Sequence, residues 1–314
     1  MKLAMIFPGQ GSQSVGMLKG YDGLPGVDEV RREAAAALGE PFLALLDGGP
    51  AEQLGLTVNT QPAMVTAAIA AYRAWRALGG PAPALAAGHS LGEYSALVAA
   101  GALTLAAALP LVRFRAQAMQ EAVPEGAGAM AAILGLDDEA ARAACAEAER
   151  AAGGEVVQAV NFNAPGQVVL AGHKGAVAKA IEACKARGAK RAMPLPVSAP
   201  FHSSLLRPAG EKLRRYLESV PLAAPAIPVV NNVDVRAESD PARIKDALVR
   251  QAASPVRWAE TVRAMAAQGV THMVECGPGK VLAGLVKRID AGLQAYAAAD
   301  RASLEQALAA VKGG

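Results

Sequence analysis

The chain has 314 residues and a mass of 31.9 kDa, enough for one large domain or two smaller ones. Apolar residues make up 53% and charged residues 19%, which excludes a disordered chain. A net charge of +3 with 4% aromatic residues excludes a basic, base-stacking surface for nucleic acid. The three cysteines, Cys145, Cys184 and Cys276, form no CxxC pair. We therefore expect no disulfide scaffold, no metal site and a reducing, cytoplasmic compartment.

An uncharged stretch over 94–112 would be long enough to span a bilayer. Gly101, Thr104 and Pro110 interrupt it, and much of it is alanine. We therefore predict two buried helices that meet near Gly101 and no membrane contact. The first residues reach proline and glycine too early for a signal peptide.

The first part of the chain alternates apolar segments with turns. In chain order, the predicted elements are a strand over 3–7, helices over 28–38 and 60–78, a strand over 84–87, a helix over 91–100 and a helix that begins at Thr104. Thr60 suits the N-cap position of the second helix. The glycine loop PGQGSQSVG follows the first strand, and the sequence GHSLGE follows the second.

The pattern changes after the sequence VPEGAG at 123–128. The predicted elements are then a strand over 130–134, a helix over 137–151, strands over 156–160 and 167–171 joined by NFNAPG, a helix over 174–187 and a strand over 192–197. The order β-α-β-β-α-β within roughly 70 residues predicts a small ferredoxin-like subdomain. We place it at 126–197, inserted in a large α/β subdomain formed by 1–125 and 198–314.

Strands and helices alternate again beyond the insertion. The predicted elements are a strand over 227–231, helices over 240–251 and 256–268, a strand over 271–275, a helix to 288, and one more strand and helix. This alternation predicts an α/β fold with a doubly wound, mainly parallel sheet and an α/β-hydrolase-like core.

The strongest chemical signal is the sequence Gly88-His-Ser-Leu-Gly92, which matches the GxSxG pattern of a nucleophile elbow. A predicted strand precedes it and a predicted helix follows, which is the context that the motif requires. The alternative is a chance match in a chain rich in alanine and glycine. The helix behind Ser90 would direct backbone N–H groups toward an oxyanion formed there, so the context favours a nucleophilic serine.

A nucleophilic serine needs a base, and the chain offers four histidines: His89, His173, His202 and His272. His89 suits a structural position beside the serine, and His173 suits an exposed helix start. A hydrolase order of serine, acid and histidine would be met by Asp234 or Asp240 followed by His272. The loop setting of His202 favours that residue, whereas the apolar neighbours of His272 favour a buried structural histidine. The chain order alone leaves both open.

Five longer segments can be compared with known families. They are FPGQGS at 7–12, GHSLGEYSAL at 88–97, QEAVPEGAGAMAA at 120–132, FHS at 201–203 and ECGPGK at 275–280. Together they closely resemble the malonyl-CoA:acyl-carrier-protein transacylase family of bacterial type II fatty-acid synthesis, over essentially the whole chain. The resemblance implies a cytoplasmic, monomeric enzyme without a cofactor. It would move malonyl from malonyl-CoA to the acidic, phosphopantetheinylated acyl carrier protein by a ping-pong mechanism.

The resemblance also implies catalytic roles. Ser90 would carry malonyl as an ester, and His202 would be its general base in a dyad without a required aspartate. A backbone carbonyl near Gln251 would orient the imidazole. The backbone N–H groups of Gln10 and Leu91 would form the oxyanion hole.

Substrate selection is implied at a second group of positions. Arg115 matches the arginine that grips the free carboxylate of malonate, and a guanidinium fork suits that group. Without the resemblance, a helix-surface arginine would be the preferred interpretation. The other positions that match the substrate pocket are Met119, His89, Asn163 and Gln251. Phe201 before the histidine resembles the malonyl-selective form of the motif.

Two other segments invite a binding interpretation. The sequence ECGPGK lacks the GxxxxGK[ST] spacing of a phosphate loop, so we predict a tight turn between strand and helix. The basic cluster over 185–191 suits either a solvated helix end or a docking surface for the acidic carrier, together with Arg207, Lys212 and Arg214.

Three alternative functions remain at this point. A serine esterase or thioesterase would use the same elbow with a base at His272. A non-catalytic acyl- or carrier-binding subunit would keep its function without Ser90. A malonyl-loading enzyme of a polyketide pathway would share the chemistry and differ only in its carrier.

Overall fold

A computed structural model describes residues 1–197 and 199–313, and within them the larger sheet has five strands, all parallel. The strands are β1 (Leu3–Phe7), β2 (Leu85–Gly88), β7 (Val229–Val230), β8 (His272–Cys276) and β9 (Gln294–Ala298). Their order in the sheet is β7-β2-β1-β8-β9. The first strand of the chain is therefore central, and the carboxyl ends of all five strands meet at one edge.

Helices cover both faces of this sheet. Side chains alternate along β1, so that Leu3, Met5 and Phe7 join one apolar cluster while Ala4 and Ile6 join another. The helices of this part are α1 (Val27–Leu38), α2 (Glu40–Gly48), α3 (Ala51–Gly55), α4 (Thr57–Ala77), α5 (Gly92–Ala99), α6 (Leu105–Glu121), α9 (Arg207–Glu218), α10 (Pro241–Gln251), α11 (Trp258–Ala267), α12 (Val281–Ile289) and α13 (Arg301–Gly313). Burial on both faces explains why β1 is apolar at every position.

A second sheet is separate from the first and antiparallel throughout. Its elements are β3 (Gly128–Leu134), α7 (Asp138–Ala151), β4 (Val157–Ala164), β5 (Gln167–His173), α8 (Lys174–Ala186) and β6 (Arg191–Pro194). The strand order is β4-β5-β3-β6, and α7 and α8 share an apolar core with the sheet. The predicted mixed α/β class with a mainly parallel sheet is confirmed.

Strand β4 joins the two parts of the molecule. The backbone N–H of Val256 donates to the carbonyl of Val160 at 2.8 Å, and the N–H of Phe162 donates to the carbonyl of Val256 at 3.0 Å. Val256 leads into α11, which covers the large sheet. The end of β4 is thereby held against the large sheet's helices.

Three helices of the first part differ from the sequence prediction. Helix α4 begins at Thr57 with Leu56 as its N-cap, so the prediction of Thr60 as the cap was wrong. The Thr60 hydroxyl instead donates to the carbonyl of Leu54 at 2.6 Å. Pro62 therefore lies inside the helix, where it lacks the N–H that would bond to the preceding turn. Helices α2 and α3 were not predicted, because glycine and proline flank both.

Several strands also differ from their predicted bounds, most clearly β4, β6 and β7. Strand β4 continues to Ala164, so part of the predicted NFNAPG connection lies in the sheet. Register shifts between Ala159 and Asn161 and between Phe162 and Ala164 disrupt the alternation that marks a strand. Strand β7 has only two residues, and β6 ends at Pro194 rather than at 197.

The predicted subdomain boundaries stay predictions. The connection between Glu121 of α6 and Gly128 of β3 contains the first boundary, at 125/126. The second boundary, at Ser198, and the chain end, Gly314, lie outside the described residues. Across 1–197 and 199–313, none of the helices combines the length and apolar character needed to cross a membrane.

Candidate active site

Ser90 lies on a sharp turn between β2 and α5, at the carboxyl edge of the parallel sheet. Its φ of 51° is left-handed, a conformation that side chains other than glycine seldom adopt. A Cβ atom on Gly88 would lie 1.8 Å from the backbone of Gly92, and one on Gly92 would lie 2.0 Å from the Phe7 carbonyl oxygen. Only glycine fits at either position, and this close packing pushes Ser90 outward as in a nucleophile elbow.

His202 is the histidine that reaches the serine. Its Nε2 lies 2.7 Å from Ser90 Oγ, and its Nδ1 lies 2.9 Å from the backbone carbonyl of Gln251. Because a carbonyl only accepts hydrogen bonds, Nδ1 carries the proton and Nε2 is free to accept the serine proton. Burial and the charge of Arg115 lower the pKa of His202 to about 3, so the imidazole is a neutral base near pH 7.

Arg115, on α6, points into the same site and is 2% exposed. Its Nη1 donates to Gln61 Oε1 at 2.9 Å, and its Nη2 donates to Gln251 Oε1 at 3.0 Å and to Ser90 Oγ at 3.2 Å. These acceptors are all neutral, and Nε has no partner among the described residues. Desolvation lowers the pKa of Arg115 from its ordinary value, yet a guanidinium stays charged at neutral pH. A buried cation with neutral partners beside a nucleophile suits an anionic substrate.

The turn after β1 lies next to the elbow. The N–H of His89 donates to the Phe7 carbonyl at 3.0 Å, and a Cβ atom on Gly9 would lie 2.9 Å from the His89 carbonyl. Gln10 follows in this turn, and Leu91 is the N-cap residue of α5. Among the hydrogen bonds of the described residues, neither the Gln10 nor the Leu91 backbone N–H has a protein acceptor. Both groups therefore remain available to an oxyanion.

The other predicted pocket residues, His89, Asn163 and Met119, come from three different elements or turns around Ser90 and His202. His89 Nε2 lies 2.8 Å from Asn163 Oδ1, and its ring packs 5.6 Å from that of Trp258. Desolvation lowers the pKa of His89, which keeps this ring neutral. Asn163 belongs to β4, so the smaller sheet contributes to the site. Met119 is buried in a cluster that also contains Phe201, beside His202.

The remaining histidines lie away from the serine. His272 pairs with Leu3 at the start of β1, whereas Gly88 pairs with Phe7 at its end. The two ends of β1 are roughly 13 Å apart, so a hydrolase triad through His272 is excluded. Partly buried His272 contacts the Thr271 hydroxyl at 2.9 Å.

Two acids of the hydrolase alternative and one further histidine, His173, have structural partners. Asp234 pairs with Arg250 at 2.7 Å, and Asp240 caps α10. His173 was predicted to be exposed but is partly buried, because its Nδ1 accepts the N–H of Val156 at 2.9 Å. None of the three contacts Ser90.

Three residues of the site were missed from the sequence: Gln61, Asn232 and Glu93. Gln61 is a buried residue of α4, in the first turns of the helix whose start was misplaced. Asn232 follows β7, the strand next to β2, and its Oδ1 accepts the N–H of Ser90 at 2.7 Å. Its position could have been found, because polar residues after neighbouring parallel strands meet at one edge. Glu93 belongs to the GHSLGE motif, but the motif does not reveal what it contacts.

The sequence ECGPGK forms the tight turn that was predicted. Glu275 Oε2 accepts the N–H of Ala283 at 2.8 Å, so the protein's own carboxylate lies where a phosphate loop would bind phosphate. Burial raises the pKa of Glu275 to about 7. Gly277 has a φ of 134° and packs against Pro8, which supports the turn that carries Gln10. Among the described residues, no group of three or more His, Cys, Asp or Glu could hold a metal ion.

Comparisons with known proteins agree with this geometry. The sequence matches the acyl transferase domain family over residues 4–299, so the chain is an acyl transferase. Malonyl CoA-acyl carrier protein transacylases of Salmonella typhimurium and Escherichia coli are each 56% identical over 308 residues, covering 98% of this chain and 99% of theirs. The Bacillus subtilis relative of the same name is 45% identical over 312 residues, covering 99% of this chain and 98% of its own. The chain therefore belongs to the malonyl CoA-acyl carrier protein transacylase family, as its motifs predicted.

Solved structures show the same fold. The acyl-carrier-protein S-malonyltransferase of Burkholderia pseudomallei is 63% identical with a TM-score of 0.95, covering 98% of this chain and 99% of its own. A malonyl-transacylase in complex with a type II polyketide acyl carrier protein is 52% identical with a TM-score of 0.95, covering 98% of this chain and 99% of its own.

Proposed function

We propose that this enzyme transfers the malonyl group from malonyl-CoA to the phosphopantetheine thiol of acyl carrier protein through an ester on Ser90. The product, malonyl-ACP, would feed fatty acid chain elongation. One observation carries the proposal: Ser90 Oγ lies 2.7 Å from a neutral histidine nitrogen and 3.2 Å from a buried guanidinium. The first contact supplies a nucleophile, and the second supplies a partner for the carboxylate that distinguishes malonyl from acetyl.

The first half-reaction forms the ester. Ser90 Oγ attacks the thioester carbonyl carbon while His202 Nε2 takes the hydroxyl proton. The N–H groups of Gln10 and Leu91 would bind the oxyanion, and one such donor is typically worth about 3 kcal/mol. The carbon–sulfur bond then breaks, and His202 returns the proton to the sulfur of coenzyme A.

The second half-reaction runs the same steps in reverse. The carrier's thiol attacks the Ser90 ester while His202 takes the thiol proton. When the carbon–oxygen bond breaks, this proton returns to Ser90 Oγ. Because coenzyme A leaves before the carrier thiol enters, one pocket serves both thiols and ping-pong kinetics follow. No group outside the protein is needed to balance either step.

Arg115 would bind the malonyl carboxylate with its planar fork. Gln61 and Gln251 hold the guanidinium from two sides, so its direction is set before substrate binds. Met119, His89 and Asn163 would line the acyl pocket. The support for these three is their burial beside the elbow and beside His202. The acetyl group lacks a carboxylate and would leave Arg115 without an anionic partner.

We also propose that the antiparallel unit is a ferredoxin-like subdomain. Support comes from its β-α-β-β-α-β order and from the sheet order, in which the first strand lies between the third and the fourth. The cysteine thiols are free and buried, which is compatible with the reducing cytoplasm that we propose for this enzyme. A monomer stays our prediction.

Intact-mass spectrometry tests the function directly. The protein is mixed with malonyl-CoA, and holo-acyl carrier protein is then added. We expect one malonyl adduct, absent in Ser90→Ala, that moves to the carrier. An adduct that decays to free malonate despite the carrier would indicate a hydrolase. No adduct at all would indicate a binding subunit.

A further inference from the structure

We propose that Glu93 is a positioning residue that fixes the direction of the Gln251 side-chain amide, and thereby holds Arg115 in place for the malonyl carboxylate. This inference rests on the proposed function. Glu93 lies on α5, three residues after Ser90, and is 2% exposed. Its Oε2 accepts the Nε2–H of Gln251 at 2.8 Å and the backbone N–H of Asn232 at 2.9 Å.

The Gln251 amide has a donor end and an acceptor end, and its neighbours require opposite ends. The carboxylate of Glu93 and the backbone carbonyl of Ser90 accept from Nε2, at 2.8 and 3.0 Å. Both Nε2 hydrogens are thus in use, and Oε1 faces Arg115 Nη2 at 3.0 Å. A reversed amide would set its oxygen against Glu93 Oε2, which already accepts from Asn232, and its NH2 against the guanidinium. Because both contacts would be repulsive, Glu93 selects the orientation that accepts from Arg115.

Gln251 contacts both Arg115 and the proposed base, His202. Its backbone carbonyl accepts from His202 Nδ1 at 2.9 Å, while its side chain contacts Arg115. Gln251 is the last residue of α10 and is fully buried. The end of one helix therefore places both the imidazole and the guanidinium, and Glu93 is the group on α5 that holds this helix end.

The second contact of Glu93 supports the elbow. Asn232 donates its backbone N–H to Glu93, and its side chain bonds to both sides of the turn. Its Oδ1 accepts from the Ser90 N–H at 2.7 Å, and its Nδ2 donates to the Gly88 carbonyl at 2.7 Å. Two donors thus converge on one buried oxygen of Glu93, and removing that oxygen would leave both unpaired.

The experiment compares malonyl-CoA with acetyl-CoA, because only malonyl uses the Arg115 fork. We would measure kcat/KM for acylation of the full-length enzyme by each thioester, for wild type and for Glu93→Leu, Glu93→Asp and Glu93→Gln. Glu93→Leu should lower the malonyl-to-acetyl ratio about 10-fold or more, since a lost buried acceptor costs on that order. Glu93→Gln retains an oxygen that can accept both hydrogen bonds, so it should restore the ratio to within about 3-fold of wild type.

Glu93→Asp and one control variant, Ser95→Ala, separate an effect on positioning from an effect on stability. Glu93→Asp keeps the charge but withdraws the acceptor by one methylene, so it should lower the ratio even if Glu93→Leu fails to fold. Ser95→Ala lies on the same buried helix, and the Ser95 hydroxyl has no partner among the described residues, so this control should leave the ratio unchanged.

The outcomes also distinguish this inference from the proposed function. If Glu93→Asp and Glu93→Leu lower both rates equally, in step with their unfolding temperatures, Glu93 is only structural and the inference is overturned. If wild type forms no malonyl adduct on Ser90, the proposed function itself fails. A wild-type adduct with an unchanged ratio in the Glu93 variants overturns the inference alone.

Discussion

Arg115 is the residue on which we expect substrate choice to depend. Its guanidinium is buried with neutral partners only, so a substrate carboxylate would complete its hydrogen bonding. Losing one partner of a buried charge pair costs roughly 2–5 kcal/mol, or about 30- to 5,000-fold. Arg115→Ala should lower kcat/KM for malonyl-CoA by a factor in this range and lower that for acetyl-CoA much less.

A matched control for Arg115 lies on the same helix. The guanidinium of Arg113 lies over the Phe42 ring, 5.4 Å from its centroid, and faces a different element. Arg113→Ala should leave the malonyl-to-acetyl ratio of kcat/KM unchanged. Equal losses with both thioesters in Arg115→Ala would refute the carboxylate clamp.

His202 should make the free energy of unfolding rise as pH rises. Its pKa is lowered to about 3 in the folded protein by burial and by Arg115, whereas an unfolded histidine titrates near pH 6.5. Between these values the unfolded chain binds the extra proton, so the free energy of unfolding rises as pH rises through this window. From pH 4.5 to 6.5, wild type should gain about 2 kcal/mol relative to His202→Asn.

Urea denaturation of both proteins at several pH values measures this difference for His202. Buried carboxyl groups such as Glu275 titrate in both proteins, so their contribution cancels when the two curves are subtracted. A difference that stays constant with pH would mean that His202 keeps an ordinary pKa in the folded protein.

At the scale of elements, the elbow between β2 and α5 depends on two glycines that no larger residue can replace. A methyl group on Gly92 would lie 2.0 Å from the Phe7 carbonyl oxygen, which belongs to the central strand and cannot move freely. Gly92→Ala should therefore lower the free energy of unfolding by about 3 kcal/mol or more. Urea denaturation measures this loss.

Gly284 is the matched control for the elbow. It lies exposed within α12, and a Cβ atom there would meet nothing within 4 Å. Gly284→Ala should stabilise the protein by up to about 1 kcal/mol, because alanine favours the helix. If both variants shifted stability alike, steric exclusion at the elbow would not explain the need for Gly92.

The elements also show what a sequence can and cannot predict. The local sequence pattern located α7, which was predicted over 137–151. The structure shows that Asp137 is the N-cap of this helix, and its side chain accepts the Ala140 N–H at 2.7 Å. Local sequence patterns failed where tertiary contacts determine where a helix or strand begins or ends. Helix α4 starts before Thr60 because that hydroxyl bonds to Leu54, and β4 runs past its bulges because Val256 pairs with it. Neither partner can be inferred from local sequence.

At the scale of the whole molecule, the site was only partly predictable. Residues in motifs, such as Ser90 and His202, were named from the sequence, and the structure brings these two together. Gln61 and Asn232 come from elements that are distant in the chain, and only the folded sheet and its helices place them beside Ser90 and Arg115. Chemistry that resides in one motif can be predicted, whereas the hydrogen bonds that support it depend on topology.

Docking of the carrier protein depends on the surface of the whole molecule. The structure shows which residues of the predicted basic surface already have acidic partners. Arg187 pairs with Glu147 at 2.5 Å, and Lys212 pairs with Glu121 at 2.7 Å, so these charges are partly neutralised. Lys190 and Arg191 are exposed at the start of β6. The resemblance implies an acidic carrier, so Lys190 and Arg191, with exposed Arg207, are the better candidates for a docking contact, because none of the three forms an ion pair within the described residues.

Charge reversal at Lys190 and Arg191 tests this surface. Exposed ion pairs are worth about 0.2–1 kcal/mol each, so the double change to glutamate should raise KM for the carrier about 2- to 30-fold at low salt. Salt screens such contacts, so the effect should shrink toward 1 M salt. Lys190 packs on Gly135 before α7, whereas exposed Arg150 lies at the far end of that helix, roughly 20 Å away. Arg150→Glu should therefore leave KM unchanged. An equal rise per reversed charge in both variants would show that net charge rather than a docking surface attracts the carrier.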